Sequence, residues 1–273
     1  MNNKIPCSVE ILTLNCEKTL GRCLDSVKNF ADIIVLDGNS TDQTVSVDKS
    51  YGARVYPQKE TAERNVRIDD FSEVRNKGVK LARFPWFTFV DSDEYLAPEA
   101  VEEIRSIVDV TGSGSPDSNK SSAFRRPRKY VLNGQIIERA TTYPNYQLRL
   151  FYLPDTLGFA KKVHEIMKLK PCARVSKLTH PEYVPLAPVA VIRQKWSRYL
   201  DIQQESLRGL SLGRLVRGLR SNFTKAIKYS LKYFWVRITK KGKPMPFAYE
   251  FYNVTYHVRL MYRMIENYFL KWR

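Results

Sequence analysis

The sequence predicts an α/β fold in which a mostly parallel, Rossmann-like sheet is flanked by helices. Two short apolar, β-branched runs, 8–14 and 33–36, enclose a segment, 18–29, whose apolar residues recur on one helical face. This is the pattern of a β-α-β unit. The run 86–90, which is apolar except for Thr88, is typical of a strand buried on both faces, and acidic residues follow it directly. Because strands and helices alternate through this region, the sheet is expected to be parallel.

The elements between these runs follow from turn chemistry and periodicity. The turn-forming residues 37–42 end the second strand, and Ser40 or Thr41 is expected to cap a helix that begins near Gln43. The other predicted elements are a strand at 53–56, a helix at 71–82 and a strand at 147–152.

The middle of the chain changes character. Residues 111–122 are rich in Gly, Ser, Asp and Pro, which favours a mobile loop. Residues 128–137 have the pattern of a β-hairpin that turns at Asn133-Gly134, since Asn-Gly is the preferred pair in a two-residue turn.

The last third of the chain is helical, basic and rich in aromatic residues. Apolar residues recur every three or four positions through 212–234 and again through 247–272. Residues 193–273 hold 18 Lys and Arg against 4 Asp and Glu, whereas residues 1–192 hold 27 against 24. This pattern is typical of helices that lie in an anionic membrane interface. It is also compatible with helices that cover the main domain or pair with a second copy of the chain.

Composition and absent motifs exclude several classes of protein. The four cysteines lack CxxC spacing and the density of a disulfide scaffold, so reduced thiols in a cytosolic protein are expected. The first twenty residues do not resemble a signal peptide, and the longest run without a charged residue has ten residues. The phosphate-binding patterns GxGxxG and GxxxxGK[ST] are absent, which disfavours a Rossmann dehydrogenase and a P-loop NTPase.

Two acidic segments come directly after predicted strands. Asp91 and Asp93 follow the run 86–90, and Asp37 ends the run 33–36. Ligands of open α/β sheets bind beyond the carboxyl ends of strands, so the two segments are expected at the same edge of the sheet. Two carboxylates there can hold Mg²⁺ or Mn²⁺ together with a nucleotide diphosphate. The plainer interpretation is that they are solvated turn residues.

Six motifs, in order along the chain, resemble those of the family 2 glycosyltransferases of GT-A fold, in particular the bacterial lipopolysaccharide-core type of β-glycosyltransferase. The resemblance covers residues 8 to about 200, with Cys16 in place of an expected acidic residue and Asn39 in place of a small one. The motifs are Val9-Glu-Ile-Leu-Thr-Leu-Asn15 with Glu17, Ile34-Val-Leu-Asp-Gly-Asn-Ser-Thr-Asp-Gln-Thr44, Arg75-Asn76-x-Gly78, Phe89-Val-Asp-Ser-Asp-Glu94, Tyr143-Pro-Asn-Tyr-Gln-Leu-Arg-Leu-Phe151 and Val163-His-Glu165.

The resemblance implies where the donor binds. The residues implied around the nucleotide base and ribose are Asn15, Glu17, Asp37 and Asn39, with Arg75 and Asn76 nearby. Those implied at the diphosphate are Asp91 and Ser92, with Asp91 and Asp93 holding the metal. Arg75 has a plainer interpretation as a helix-surface residue paired with Glu73 or Asp70, and Asn76 as an ordinary helix residue.

Arginines and a histidine offer further candidates. Arg149 is expected to face the diphosphate or an acidic acceptor, or else to form a buried salt bridge. The basic residues 125–129 are expected to form a solvated loop, or to contact an acceptor or a lipid headgroup. His180 is a candidate additional metal ligand, although a single histidine is more often structural.

Inverting transfer needs a base that removes the proton of the acceptor hydroxyl. Glu165 is the predicted base, with its pKa raised by partial burial, and His164 is predicted to position it or to bind the acceptor. The alternative is that both residues belong to a surface strand end.

The function expected from these observations is metal-dependent, inverting transfer from a nucleotide-diphosphate sugar, with UDP favoured. The expected acceptor is a lipid-linked, lipopolysaccharide or other cell-envelope glycan, reached at the cytoplasmic face of the membrane by a peripheral protein. Residues 1–192 would form the donor and acceptor domain, and residues 193–273 a region that binds an anionic membrane or forms a homo-oligomer. The alternatives are a nucleic-acid-binding protein, suggested by the basic C-terminal third, and an inactive membrane-associated scaffold of the same fold.

Overall fold

The computed structural model describes residues 4–111, 121–162, 165–206 and 211–270 of the 273-residue chain. The chain divides into two compact units, one made of Met1–Lys129 and Pro144–Val184, the other of Tyr130–Tyr143 and Pro185–Arg273. The predicted division after residue 192 therefore differs from the observed one, because the hairpin near residue 134 belongs with the C-terminal helices. Residues 112–120 of the predicted mobile loop lie outside the described residues.

The secondary structure alternates strands and helices at first and becomes helical at the end. The strands are β1 (Ile5–Thr13), β2 (Phe30–Asp37), β3 (Arg54–Pro57), β4 (Trp86–Asp91), β5 (Tyr95–Leu96), β6 (Ala123–Leu132), β7 (Gln135–Ile136), β8 (Tyr146–Tyr152), β9 (Thr156–Ala160), β10 (Ile166–Leu169), β11 (Val175–Lys177) and β12 (Glu182–Pro185). The helices are α1 (Glu17–Val27), α2 (Thr44–Ser50), α3 (Phe71–Leu81), α4 (Pro98–Thr111), α5 (Val189–Ser206), α6 (Leu212–Thr239) and α7 (Phe247–Leu270).

Within the described residues, ten strands form one sheet in the order β3-β2-β1-β4-β8-β6-β12-β5, with β7 and β11 paired to β6. Strands β3, β2, β1 and β4 are parallel, which confirms the predicted α/β fold. Strand β8 is antiparallel to both β4 and β6, and this antiparallel continuation was not predicted. A separate antiparallel pair is formed by β9 and β10.

The core of the first unit sits between the parallel strands and α1. Strand β1 is buried almost throughout, and the apolar side chains predicted on one face of α1, Leu20, Leu24 and Val27, are all buried. This face, which also includes buried Cys23, lies against the sheet because burial removes its apolar surface from water.

Strand register brings the two acidic segments together at one edge of the sheet. Thr13 of β1 lies opposite Asp37 of β2, and Leu12 of β1 lies opposite Asp91 of β4. Since the three strands are parallel, Asp37 and Asp91 stand at neighbouring carboxyl ends. The predicted placement of these two residues at the same edge is confirmed.

Two turns show where sequence reasoning succeeded and where it failed. The turn at Asn133-Gly134 is confirmed, with φ of 50° and 73° as a two-residue turn of type I′ requires. The predicted cap of α2 is wrong, because the N-cap residue is Gln43 without a capping side chain. The Ser40 hydroxyl instead donates to Asp37 at 2.6 Å, which explains why it does not reach the helix.

The second unit combines the hairpin with three helices. Buried Glu250 of α7 accepts a hydrogen bond from the backbone N–H of Thr141 at 2.8 Å and so ties the hairpin to α7. Helices α6 and α7 run antiparallel, since Gly218 lies beside Met264 while Tyr233 contacts Phe247. None of the described helices contains an apolar stretch of transmembrane length.

Gly78 in α3 leaves the space that buried Glu10 of β1 occupies. A Cβ atom at position 78 would lie 1.9 Å from Glu10 Oε1, whereas a Cβ at Gly21 in α1 would have no neighbour within 4 Å. We expect Gly78→Ala to lower the free energy of unfolding by about 2 kcal/mol, because an overpacked core must shift. We expect Gly21→Ala to raise it by about 0.5–1 kcal/mol, because alanine is the better helix former. Urea unfolding of both variants checks the pair, and equal effects would contradict the assignment of Glu10 to that space.

Asp48 is a buried carboxyl of α2, and among the described residues no donor reaches either of its oxygens. Burial and the charge of Asp37 raise its pKa from 3.8 to about 7. Between these values the folded protein keeps a proton that the unfolded chain has released, so stability falls as the pH rises.

We expect Asp48→Asn to reduce the loss of unfolding free energy between about pH 5 and about pH 8 by at least about 1 kcal/mol, since asparagine does not titrate. Urea unfolding at both pH values measures this. The matched control is Asp25→Asn, which alters an exposed carboxylate of α1 paired with Lys28. If the unfolding free energy of Asp48→Asn depends on pH as that of the wild type does, Asp48 does not have a raised pKa in the folded protein.

Candidate active site

Asp37 orders the loop that follows β2. Its buried carboxylate accepts hydrogen bonds from Thr13 Oγ1 at 2.9 Å and from the backbone N–H and hydroxyl of Ser40 at 2.8 and 2.6 Å. These bonds link the ends of β1 and β2. Asp37 therefore fixes the backbone at the sheet edge where the resemblance places the nucleotide.

Asn15 ties the loop after β1 to two other loops. Its backbone has a φ of 48°, which asparagine tolerates better than most residues. The side-chain amide donates to Asn65 Oδ1 at 2.7 Å, and its oxygen accepts from the backbone N–H of Thr41 at 2.9 Å. Asn15 thus joins three loops at the edge of the predicted donor site.

Asn39 and Glu17 hold further parts of the same edge. The amide of Asn39 donates to the carbonyls of Thr61 and Glu63 at 2.9 and 2.7 Å. Glu17 at the start of α1 accepts from the backbone N–H of Gln43 at 2.9 Å. The four residues predicted around the base and ribose therefore share one sheet edge, and the structure assigns each of them a loop-ordering contact.

Arg75 is a buried hub and does not lie on the helix surface. It donates to Glu10 at 2.9 Å and to Asp91 at 2.7 Å, and its Nε lies 3.4 Å from Glu165 Oε1. The surface pairing of Arg75 with Glu73 or Asp70 is therefore wrong. Asp70 instead caps α3 by accepting from the backbone N–H of Glu73. Arg75 thus connects the acidic strand end to the predicted catalytic base.

Arg149 of β8 approaches the same aspartate from the other side of its carboxylate. Its Nη2 lies 3.2 Å from Asp91 Oδ2, and more distant ion pairs join it to Glu94 at 3.7 Å and to Glu182 at 3.9 Å. Each oxygen of Asp91 consequently has its own guanidinium partner. Of the two interpretations that the sequence left open, the buried salt bridge is the one the structure shows, and a contact of Arg149 with the diphosphate or an acidic acceptor stays a prediction.

The basic segment 125–129 contributes two more arginines to this network. Arg126 is fully buried and lies 2.6 Å from Glu182, while Arg128 contacts Glu94. The expectation of a solvated basic loop is therefore wrong for these two residues, because strand β6 turns them inward toward carboxylates. Basic residues at alternate positions of a strand share a face, and here that face is charged and buried.

Phe89 gives the two central arginines an aromatic surface. The guanidinium carbons of Arg75 and Arg149 lie 4.1 and 4.2 Å from the centre of its ring. A guanidinium over a ring face is attracted by the ring quadrupole, and the attraction grows when water is excluded. Phe89 thereby limits where both guanidinium groups can lie beside Asp91.

The network separates the protonation states of its carboxyl groups. Burial opposes ionisation of Asp91, but Arg149 and Arg75 outweigh it and hold its pKa well below the usual range. In Glu10 burial prevails over Arg75 and raises the pKa from 4.5 to about 7. Burial and the neighbouring Glu182 raise the pKa of Glu94 well above its usual value, whereas arginines lower that of Glu182 to about 2. The arginines therefore favour the ionised form of Asp91.

The remaining predicted residues have different surroundings. The Asn76 amide is used in two hydrogen bonds with the backbone of Phe159, at 3.0 and 2.7 Å. Ser92 contacts the thiol of Cys16, and Asp93 is exposed. Glu165 is largely buried beside Arg75, and His164 lies outside the described residues.

A metal site with three protein ligands is not present in the described parts of the chain. No group of three or more His, Cys, Asp or Glu side chains is arranged there to hold an ion. His180 is not placed with Asp91 and Asp93, and its backbone N–H donates to Glu103 of α4 at 3.0 Å. Mg²⁺ commonly takes one or two carboxylates and completes its shell with water and phosphate oxygens. Exposed Asp93 and partly exposed Asp91 fit that kind of site.

Sequence reasoning missed Glu10, Glu182 and the inward direction of Arg126. Glu10 carried a usable signal, because it interrupts the buried strand β1, where a charge needs a partner. Glu182 carried none, since a glutamate near a short strand is ordinarily exposed. Its partners come from β6 and β8, which are distant along the chain.

Comparison with known proteins gives the site its family context. The model of a family described as "Glycosyl transferase family 2" matches residues 8–164. The SPbeta prophage-derived glycosyltransferase SunS of Bacillus subtilis is 31% identical over 156 residues, which cover 57% of this chain and 33% of that protein. The poly(ribitol-phosphate) β-N-acetylglucosaminyltransferase TarS of Staphylococcus aureus is 28% identical over 202 residues, 64% of this chain and 34% of that protein. The chain thus spans about a third of the length of each relative.

A solved structure agrees with this at the level of the fold. The crystal structure of S. aureus TarS 1-349 in complex with UDP-GlcNAc superposes with a TM-score of 0.50 and 16% identity, covering 97% of this chain and 91% of that one. This likeness concerns the fold alone. Because the family model matches more than half of the sequence, and the sheet carries the family's motifs at one edge, the chain belongs to the family 2 glycosyltransferases.

Proposed function

We propose that this protein transfers a sugar, with inversion, from a nucleotide-diphosphate sugar to a lipid-linked or other cell-envelope glycan acceptor. The observation that carries the proposal is the meeting of the Asp37 loop and Asp91 at one carboxyl edge of a family 2 glycosyltransferase sheet. Nucleotides bind at such edges in open α/β folds. This gives the acidic loops a role that the nucleic-acid-binding alternative did not supply.

A UDP-sugar is the favoured donor, and Mg²⁺ or Mn²⁺ the proposed cofactor. The support for UDP is that TarS of S. aureus was crystallised with UDP-GlcNAc and with UDP. Asp93 and Asp91 would hold the ion, which when bound neutralises charge on the leaving diphosphate. Because the described residues provide two carboxylates there, we infer that the ion binds together with the nucleotide.

The arginines would act by holding Asp91 in place. Asp91 stays ionised because Arg149 and Arg75 lie on its two oxygens. A carboxylate fixed in this way does not need to reorganise when the diphosphate arrives. Arg75 and Arg149 are therefore positioning residues in this proposal.

Glu165 is the proposed general base. It removes the proton of the acceptor hydroxyl while that oxygen forms a bond to the anomeric carbon and the bond to the diphosphate oxygen breaks. The proton ends on Glu165, and the electron pair leaves with the nucleoside diphosphate. Support comes from the position of Glu165 beside Arg75, which also contacts Asp91 and so links base and diphosphate site.

The acceptor part of the proposal rests on the named relatives. The S. aureus relative is named for transfer to poly(ribitol-phosphate), and a Bacillus spizizenii protein that is 32% identical over 100 residues is named a poly(ribitol-phosphate) β-glucosyltransferase. Both names describe glycosylation of a polymer that carries phosphates. From these names we take only the class of acceptor that we propose for this protein, a glycan or phosphate-linked polymer of the cell envelope. A lipid-linked form of such an acceptor is included in the proposal.

Calorimetric titration with UDP, with and without Mn²⁺, tests the donor site. We expect UDP binding to weaken at least about tenfold without Mn²⁺ and in Asp93→Ala, because the ion joins the carboxylate to the diphosphate. The matched control is Asp25→Ala, an exposed aspartate of α1, which should bind as the wild type does. If the wild type binds none of UDP, GDP, ADP, CMP and TDP, the result favours the inactive-scaffold alternative.

Release of UDP from UDP-N-acetylglucosamine and UDP-glucose, with water as acceptor, tests the base. We expect Glu165→Gln to lower kcat about a hundredfold or more while UDP affinity in calorimetry changes less than about twofold, since the base acts on the attacking oxygen. The matched control is Glu73→Gln, an exposed glutamate of α3. A Glu165→Gln variant that binds UDP normally and keeps its kcat shows that Glu165 is not the base.

A further inference from the structure

Helix α6 presents a long apolar face to solvent. Eight large apolar side chains of this described helix are between 44% and 82% exposed. At about 100° per residue they fall within an arc of about 140°. They are Leu212, Val216, Phe223, Ile227, Leu231, Phe234, Trp235 and Ile238. Contiguous exposed apolar surface of this length marks an interaction site.

Helix α7 carries a narrower stripe of the same kind. Six apolar or aromatic side chains of its described residues are between 41% and 65% exposed and fall within an arc of about 60°. They are Phe247, Phe251, Val258, Tyr262, Ile265 and Phe269. A regular recurrence over 23 residues is not produced by isolated surface residues, which are common and need no explanation.

The two stripes lie on the same side of the helix pair. The helices pack through buried Leu215 and Met264, and a Cβ on Gly218 would collide with Met264, so they approach closely. In each helix the exposed stripe begins about 90–100° beyond the packing face in the direction of helical rotation. Because the helices are antiparallel, their rotations are mirrored and both stripes turn to one side. Packing of α6 against α7 therefore buries one face of each helix and leaves the two apolar stripes exposed.

Charge indicates what covers this surface. Helix α6 contains seven Lys and Arg and no acidic residue. Arg217 and Lys228 border the apolar arc, and Arg220 lies within it; all three are exposed. Long basic side chains can lay their alkyl stems along an apolar surface and place the charge at its rim. The combination of exposed apolar area and a basic rim complements the acyl and anionic headgroup layers of a bilayer.

A second copy of this chain complements the surface less well. Two α6 helices facing each other across a two-fold axis would oppose basic side chains with no acidic residue of α6 to pair them. We propose that the exposed faces of α6 and α7 form a docking surface for an anionic lipid bilayer, with the apolar stripes inserted into the headgroup region. This surface is independent of the sugar-transfer proposal, because it uses none of the residues of the candidate active site.

Sedimentation of the full chain with phosphatidylcholine vesicles, with and without phosphatidylglycerol, tests the proposal. We expect binding to vesicles that contain phosphatidylglycerol, weakened by salt and by omission of the anionic lipid. The variant Leu231→Gln/Phe234→Gln/Ile238→Gln should bind at least about tenfold more weakly, because three exposed apolar groups no longer enter the lipid. The matched control, Leu157→Gln/Ile166→Gln/Val175→Gln, removes three exposed apolar side chains from the first unit and should bind as the wild type does.

Two further measurements separate insertion from other modes of binding. Trp235 is 60% exposed, so brominated lipid should quench the wild type more than Trp235→Phe. Equal binding of the triple variant, or equal quenching with Trp235→Phe, shows that the helices do not insert. A concentration-dependent dimer in analytical ultracentrifugation that the triple variant abolishes, together with no vesicle binding, assigns the surface to a second copy and overturns the proposal. Intact helical circular dichroism of the triple variant shows that it is folded.

Discussion

The candidate site depends on the ion pairs that the buried guanidinium of Arg75 makes. It joins a glutamate from the middle of the sheet, an aspartate at the strand end and a glutamate that precedes β10. Taking one partner from a buried ion pair costs about 3–5 kcal/mol, because the remaining charge stays out of water. A single side chain therefore contacts helix α3's neighbours on both sides, the end of β4 and the segment with Glu165.

This arrangement links stability and chemistry through protonation. Burial raises the pKa of Glu10, so ionisation of Glu10 lowers the stability of the fold. Arginines instead favour the ionised forms of Asp91 and Glu182. Of the two carboxyl groups that contact Arg75 and differ in this way, the more easily ionised, Asp91, stands at the partly exposed strand end, and the less easily ionised, Glu10, lies inside the sheet. Asp91 at the strand end can therefore meet a cation, whereas Glu10 inside the sheet holds Arg75.

The sequence was sufficient for the parallel half of the sheet, since apolar runs, helical periodicity and turn residues are local signals. It was also sufficient to place Asp37 and Asp91 at one edge, because that follows from parallel register. It was insufficient for the antiparallel strands and for Glu182 and Arg126, which meet only through pairing of distant segments. The cap of α2 failed for a similar reason, because Ser40 is drawn away by Asp37. Long-range partners decided each of these cases.

The discontinuity of the two units has a consequence for dissecting the protein. The chain leaves the first unit at residue 129, returns at 144 and leaves again after 184. The backbone N–H of Thr141, in the excursion, donates to Glu250 near the C-terminus. Dividing the chain between the sheet and the C-terminal helices would therefore separate the hairpin from α7. Buried Ile137 and Met245, which pack in one cluster, would then lie on different fragments. A truncation that is to keep the second unit whole must therefore retain both residues 130–143 and the C-terminal helices.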